Sequence, residues 1–316
     1  MSNARTIADK GHIVGRKNLI INGSHQVSQR GVYTSATSLS TAWTYYIDRS
    51  KTRINGISGT LTHKLDQSVN SGIVNTVLLT ATSSTSGYIN SLQNIEDIQV
   101  LKTKVLTVSA WVKSNNSNAR LVTNIGDGGG VASSPTHTGG GAWELIKFNV
   151  TPTSGTTAFG VYIGILASGT GNVTITSGDY CEFTMLQIET GSVATDFEHR
   201  SYGEELALCQ RYYYQDTSSS YRAVVLDGTG NYPMVFITYP VPMRATPTGS
   251  FLSNSTLYYN TGSGSANFVP NASTITQYGD NMGGNIRYNN ISNSAGSSNA
   301  HKLGMWYLKL AFDAEL

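Results

Sequence analysis

Apolar and polar side chains alternate at period two in many segments of this chain. That pattern restricts its folded parts to half-buried β-strands. In 106–114 (LTVSAWVKS), Leu106, Val108, Ala110 and Val112 face one way, and Thr107, Ser109, Trp111 and Lys113 the other. Similar runs recur at 144–152, 157–166, 183–191, 222–226, 233–241, 255–260 and 305–316. In the last run Trp306, Leu308, Leu310 and Phe312 alternate with Tyr307, Lys309, Ala311 and Asp313, as expected of one strand in the middle of a sheet. Residues 126–143 (GDGGGVASSPTHTGGGAW) carry too much Gly for regular structure and read as a loop. That loop is no phosphate cradle, because it lacks a following helix and a terminal Lys-Ser/Thr. No period of 20–50 residues recurs, which excludes a solenoid or β-helix.

One segment breaks the rule. In 201–214 (SYGEELALCQRYYY), Ser201 and Glu204 have the spacing of a capping box, in which each side chain satisfies a free backbone N–H. Leu206, Cys209, Gln210 and Tyr213 then share a helical face. The period changes near residue 200, so a boundary is placed there. The expected organisation is an arm at 1–16, a β domain at 17–200, and a smaller C-terminal β-sandwich at 201–316 joined by a short helix.

Charged residues make up 13% of the 316 positions and the net charge is +2, so no clustered Lys/Arg marks a nucleic-acid partner. Apolar residues at 39% exclude disorder. Two cysteines, Cys181 and Cys209, form no disulfide framework and read as buried free thiols. No stretch reaches the ~18 apolar residues that span a bilayer, and the start lacks a signal-peptide core. The expectation is a protein made in a host cytoplasm that acts outside it, as virion proteins released by lysis do.

Two distant stretches belong together. The first is 17–31 (KNLIINGSHQVSQRG), the second 187–200 (QIETGSVATDFEHR). With LTVSAWVKS they resemble a module found in many bacteriophage tail-fibre and virion proteins. That module opens with Lys-Asn-x-x-Ile-Asn-Gly and Gln-Arg-Gly. It closes with Gln-x-Glu-x-Gly and Ala-Thr-x-Phe-Glu. Asn18, Ile21, Asn22, Gly23, Gln29, Arg30 and Gly31 match the start. Gln187, Glu189, Gly191, Ala194, Thr195, Phe197 and Glu198 match the end. Asp48-Arg49 matches an internal motif, with Ser50 where that motif usually has Trp, and Ser24-His25 replaces an acidic-aromatic pair. GEELALCQRYY and VPMRATPT (241–248) extend the likeness into the C-terminal domain. The resemblance implies an all-β protein: a jelly roll related to carbohydrate-binding modules at 17–200, with the opening segment as a strand beside the last one.

The resemblance implies adhesion rather than catalysis: a tail fibre or receptor-binding protein contacting host surface polysaccharide. The alternatives are a capsid-decorating fibre or cement protein, and a free polysaccharide-binding module. Other virion proteins and a homotrimer are the expected partners, with Arg5, Ile7 and Ile13 of the arm as anchor candidates. Sugar rings stack on aromatic faces, so Trp111, on the polar side of its strand, and Trp143 are glycan-contact candidates. Tyr258, Tyr259, Tyr278 and Tyr288 lie in Asn/Ser/Gly-rich segments that suit adaptable contact loops. No nucleophile–base pair or zinc-ligand spacing is present. No cofactor is expected. Modules of this type often hold calcium between first and last strands, and its oxygen ligands here would come from Glu189 or Asp196.

Overall fold

A computed structural model describes residues 16–70, 72–125, 131–216, 221–226, 232–252, 256–260, 265–268, 275–280, 282–288, 304–307 and 310–315. The chain divides into two compact units, Met1–Glu205 and Leu206–Leu316. Described strands pair only in antiparallel fashion.

The first unit is a jelly-roll sandwich. Its strands are β1 (Thr37–Ser38), β2 (Thr44–Ile47), β3 (Ser50–Asn55), β4 (Gly59–Val69), β5 (Gly72–Ala81), β6 (Thr85–Asn94), β7 (Leu106–Ser114), β8 (Ala119–Ile125), β9 (Val131–Ser133), β10 (Trp143–Val150), β11 (Phe159–Ile165), β12 (Val173–Ile175) and β13 (Tyr180–Thr190). One sheet runs β1-β4-β5-β13-β7-β10; the other runs β2-β3-β6-β11-β8-β9, with β12 beside β6. Alternation sends Leu61, Val77, Val108, Val112 and Phe183 inward from the first sheet and Ile54, Ile89, Leu121, Val161 and Ile163 inward from the second, into one core. The 126–143 segment is less irregular than its Gly content suggests. Val131–Ser133 pairs with β8, and Trp143 already belongs to β10.

The opening segment is not a strand. Residues 16–36 form bends and turns. A bulge in β13 between Thr184 and Gln187 explains where they dock. The bulge takes the Leu186 backbone out of the ladder with β7, and Met185 there has a left-handed φ of 52°. The opening segment satisfies what the bulge frees: Leu186 N–H donates to Gly23 O at 3.0 Å, and Asn18 Nδ2 donates to Leu186 O at 3.1 Å. Asn18 Oδ1 accepts from the N–H groups of Ile20 (3.0 Å) and Ile188 (3.1 Å). Glu198 accepts from the N–H groups of Lys17 (3.1 Å) and Asn18 (2.7 Å), and Asn22 N–H donates to Glu205 at 2.6 Å. Arg200 pairs with Glu198 and Glu205 and donates to Ile20 O at 3.0 Å. Asp48 accepts from Gln29 through both carboxylate oxygens. Asn18, Asn22, Gly23 and Glu198, with Arg200 and Glu205, therefore form a polar latch holding the two ends of the unit together.

Helix α1 (Tyr202–Gln210) starts as expected, with Glu204 N–H donating to Ser201 Oγ at 3.3 Å. Its buried stripe is Glu205, Leu208, Cys209 and then Tyr212, shifted from the stripe the apolar residues alone suggest, because Glu205 turns inward to meet Asn22 and Arg200.

The second unit is a smaller β-sandwich. Its strands are β14 (Tyr213–Asp216), β15 (Tyr221–Leu226), β16 (Tyr232–Thr238), β17 (Thr248–Phe251), β18 (Thr256–Asn260), β19 (Ser265–Phe268), β20 (Ile275–Gly279), β21 (Gly283–Tyr288), β22 (Gly304–Tyr307) and β23 (Leu310–Asp313). They form the sheets β14-β23-β17 and β19-β18-β22-β15-β16-β21-β20. The expected single strand at 305–316 is two strands in different sheets. Each lies inside its sheet, and Leu310, Ala311 and Phe312 are all buried, so both faces of β23 are covered.

Candidate functional site

The six-stranded sheet of the first unit turns one face to the core and the other outward. Trp111 of β7 lies on the outward face, since Ala110 and Val112 point inward. Trp143 of β10 pairs with Lys113, and Leu145 with Trp111. Cross-strand partners share a face, so Trp111 and Trp143 are diagonal neighbours on the outside of the sandwich. Both are half-buried and, with Phe197, pack against Val69, Val74 and Met185. Met185 reaches this cluster because the β13 bulge turns it out while Leu186 points into the main core.

Beside the aromatic cluster lies a polar centre. Glu182 of β13 sits opposite Lys113 of β7 and Leu78 of β5. Its side chain is 3% exposed although it belongs to the outward face. Lys64 Nζ donates to Glu182 Oε2 at 3.0 Å and Thr76 Oγ1 donates to Oε1 at 2.7 Å. A carboxylate held between an ammonium and a hydroxyl is a fixed, buried anchor, and it holds the one-third exposed Lys64 side chain on this face beside the tryptophans. Sequence reading misses Glu182. Its strand alternation marks it as outward, but Lys64 and Thr76 are 118 and 106 residues away.

The loop before Trp143 is closed by hydrogen bonds to the next residue, Glu144. Glu144 accepts from Thr138 N–H at 3.2 Å and from the Thr138 hydroxyl, and His137 Nε2 lies 3.4 Å from Glu144. His137 Nδ1 accepts from Gly139 N–H at 2.9 Å. Burial raises the Glu144 pKa, but the two Thr138 hydrogen bonds and His137 outweigh it and leave the carboxyl below its ordinary value.

The C-terminal tyrosines lie in strands, not in loops. Tyr258 and Tyr259 are consecutive in β18. Tyr278 lies in β20 opposite Asn285, and Tyr288 ends β21 opposite Ile275. Strands β22, β15 and β16 separate the two pairs, so the four do not form one cluster. Arg5, Ile7 and Ile13 lie outside the described residues.

Glu189 and Asp196 do not fit a calcium ion. The Glu189 carboxylate is taken up by protein donors: Gln187 Nε2 at 3.0 Å, Thr195 N–H at 2.8 Å and Thr195 Oγ1 at 2.7 Å. The Asp196 carbonyl faces the Lys17 ammonium, and a cation beside that charge is repelled. Both cysteines are free and buried, and burial pushes the Cys181 thiol pKa well up, which leaves it an unreactive packing group.

No protein-family model and no curated protein matches this sequence. Among solved structures, the chain is similar to the enzymatically active domain of tailspike protein 4 of bacteriophage CBA120, at 12% identity over 55% of this chain and 21% of that one, with a TM-score of 0.36. It is also similar to TmCBM61 in complex with β-1,4-galactotriose, at 13% identity over 56% of this chain and 100% of that one, with a TM-score of 0.33. The CBM22-1–CBM22-2 tandem domain of Paenibacillus barcinonensis Xyn10C is 10% identical over 91% of this chain and 98% of that one, with a TM-score of 0.30.

Proposed function

We propose that this chain is an adhesion protein of a bacteriophage particle, a tail fibre or receptor-binding protein that holds host-surface polysaccharide on the outward face of its six-stranded sheet. One observation carries the binding role: Trp111 and Trp143 share that face, beside the Lys64–Glu182–Thr76 centre. Aromatic faces with a fixed polar group beside them suit neutral polysaccharide, and the half-buried rings keep part of their area for stacking. The virion setting draws support from the motif resemblance at both ends of the first unit.

Binding of the full chain to host cells and to their isolated envelope polysaccharide tests this. The W111A/W143A double variant loses packing on Val69, Val74 and Met185 and should melt lower, but should stay folded by circular dichroism at the assay temperature and lose binding. A parent chain that binds neither cells nor polysaccharide overturns the recognition role. Antibody labelling of virions in the electron microscope locates the protein, and label on capsid faces replaces the tail reading with shell decoration. In this reading the protein assembles as a homotrimer through residues outside the sugar face. A stable monomer at micromolar concentration in sedimentation would remove that part.

A further inference from the structure

The seven-stranded sheet of the first unit has its own outward face, with different chemistry. Its strands contain no Asp or Glu, and three cations: Lys51, Arg53 and Arg120. The register draws four residues into one row. Arg53 of β3 lies opposite Asn90 of β6, Asn90 opposite Gly164 of β11, and Gly164 opposite Arg120 of β8. Their chain neighbours Ile54, Ile89, Ile163 and Leu121 point into the core, so the row points outward.

Two features of the row are unexplained by folding alone. Asn90 is 0% exposed, and neither its Oδ1 nor its Nδ2 has a hydrogen-bond partner. Native proteins rarely leave both ends of a buried amide unmet. The guanidiniums of Arg53 and Arg120 have no carboxylate partner among the described residues, and the Nε of each is buried and unpaired. Arg53 is nonetheless held in place, its Cζ 4.3 Å from the centroid of Trp43 and 5.1 Å from that of Tyr88. Burial also pulls the Arg120 pKa below its ordinary value, with no anion to offset it. Gly164 keeps the row open between Asn90 and Arg120, because a Cβ there would meet Ile89 O at 2.2 Å.

We propose that this face is a second binding site, for a carboxylate-bearing polysaccharide. Arg53 and Arg120 receive the carboxylates of the sugar acids as planar, two-pronged donors, and the Asn90 amide meets a sugar hydroxyl once the arginines turn toward the ligand. Trp43 and Tyr88 hold Arg53 ready without neutralising it. A single-stranded nucleic acid fits less well. Its bases need bare aromatic faces, whereas here Arg53 covers Trp43 and Tyr88, and Lys51 Nζ lies 5.8 Å from the Tyr45 centroid. The site is separate from the tryptophan face and takes anionic rather than neutral polysaccharide.

Calorimetric titration of the full chain at low salt with polygalacturonate, with its methyl-esterified form and with oligodeoxythymidylate tests the proposal. Polygalacturonate should bind, and the esterified polymer, which has the same backbone without the charge, should not. R53Q and R120Q should each lower the affinity about tenfold or more. R53K, which keeps the charge but not the fork, should restore only part of it. Affinity should fall with added salt. No binding of polygalacturonate, equal binding of the esterified polymer, tighter binding of the oligonucleotide, or unchanged affinity in a folded R120Q would each overturn the site. If R53Q fails to fold, R120Q and the ester comparison decide.

Discussion

The backbone N–H of Asn18 donates to Glu198 Oε2 at 2.7 Å, joining residues 180 positions apart. The same carboxylate takes the N–H of Lys17 and pairs with Arg200. Replacing Glu198 by Ala leaves two backbone donors and a largely buried guanidinium short of an acceptor. A loss of about 2–3 kcal/mol follows from the size of charge-assisted hydrogen bonds. Urea unfolding of the variant measures it. A midpoint unchanged from the parent would show that the latch contributes nothing to stability.

Gly23 makes the tightest approach in that latch. A Cβ there would lie 2.2 Å from the Leu186 carbonyl oxygen, a backbone atom that cannot swing away. Gly23→Ala must therefore lift the opening segment off the β13 bulge, at a cost of about 3 kcal/mol or more. Gly169, with nothing near its Cβ, is the control. Gly169→Ala should melt close to the parent in the same calorimeter.

His25 gives the first unit a pH dependence. The ring is buried against Phe183, with centroids 5.3 Å apart, and its carbonyl accepts from the His63 ring and from Asn75 Nδ2. Burial first, and His63 second, lower its pKa from 6.5 to about 3. The unfolded chain therefore binds the proton more readily than the folded one. Stability is complete above about pH 6.5 and falls as the pH drops toward 3, by on the order of a few kcal/mol. His25→Asn, which tolerates the left-handed φ of 55° at this position, should flatten that part of the melting curve against pH. Glu198 acts in the same direction lower down. Burial raises its pKa, but the Asn18 and Lys17 amides and Arg200 hold it below 4.5, so its contribution is present above that pH and lost below it. A melting temperature constant from pH 7 to pH 4 would contradict the His25 assignment.

Neutral glycan binding should separate the two units. Trp111→Ala removes a half-buried ring from the sheet face and should weaken polysaccharide binding by roughly 2 kcal/mol if it anchors the ligand. Tyr258→Ala with Tyr259→Ala probes the second unit. Binding retained in the Trp variant and lost in the Tyr variant would move the site to the second unit. Binding to neutral polysaccharide should also vary little with salt, unlike the polyuronate contact on the opposite sheet.

The C-terminal run 305–316 shows where local pattern stops being enough. Its alternation correctly marks it as strand, yet the chain crosses between sheets inside it, and period two does not record which partner a strand chooses. The tyrosine-bearing segments mislead in the other direction. Asn, Ser and Gly around Tyr278 and Tyr288 suggest loops, but strand pairing outweighs weak local preference.

The sequence by itself determined the all-β character, the inward side of β7, the helix capped by Ser201 and the pairing of residues 17–31 with 187–200. Each is written in spacing over a few residues, or in short motifs whose residue types do not depend on neighbours. Tertiary structure alone decided that those motifs form a latch, that Glu182 meets Lys64 and Thr76, and that Arg53, Asn90, Gly164 and Arg120 stand in one row. These groups come from strands far apart along the chain. A buried polar side chain is defined by the partners that surround it, and register between distant strands decides which partners those are.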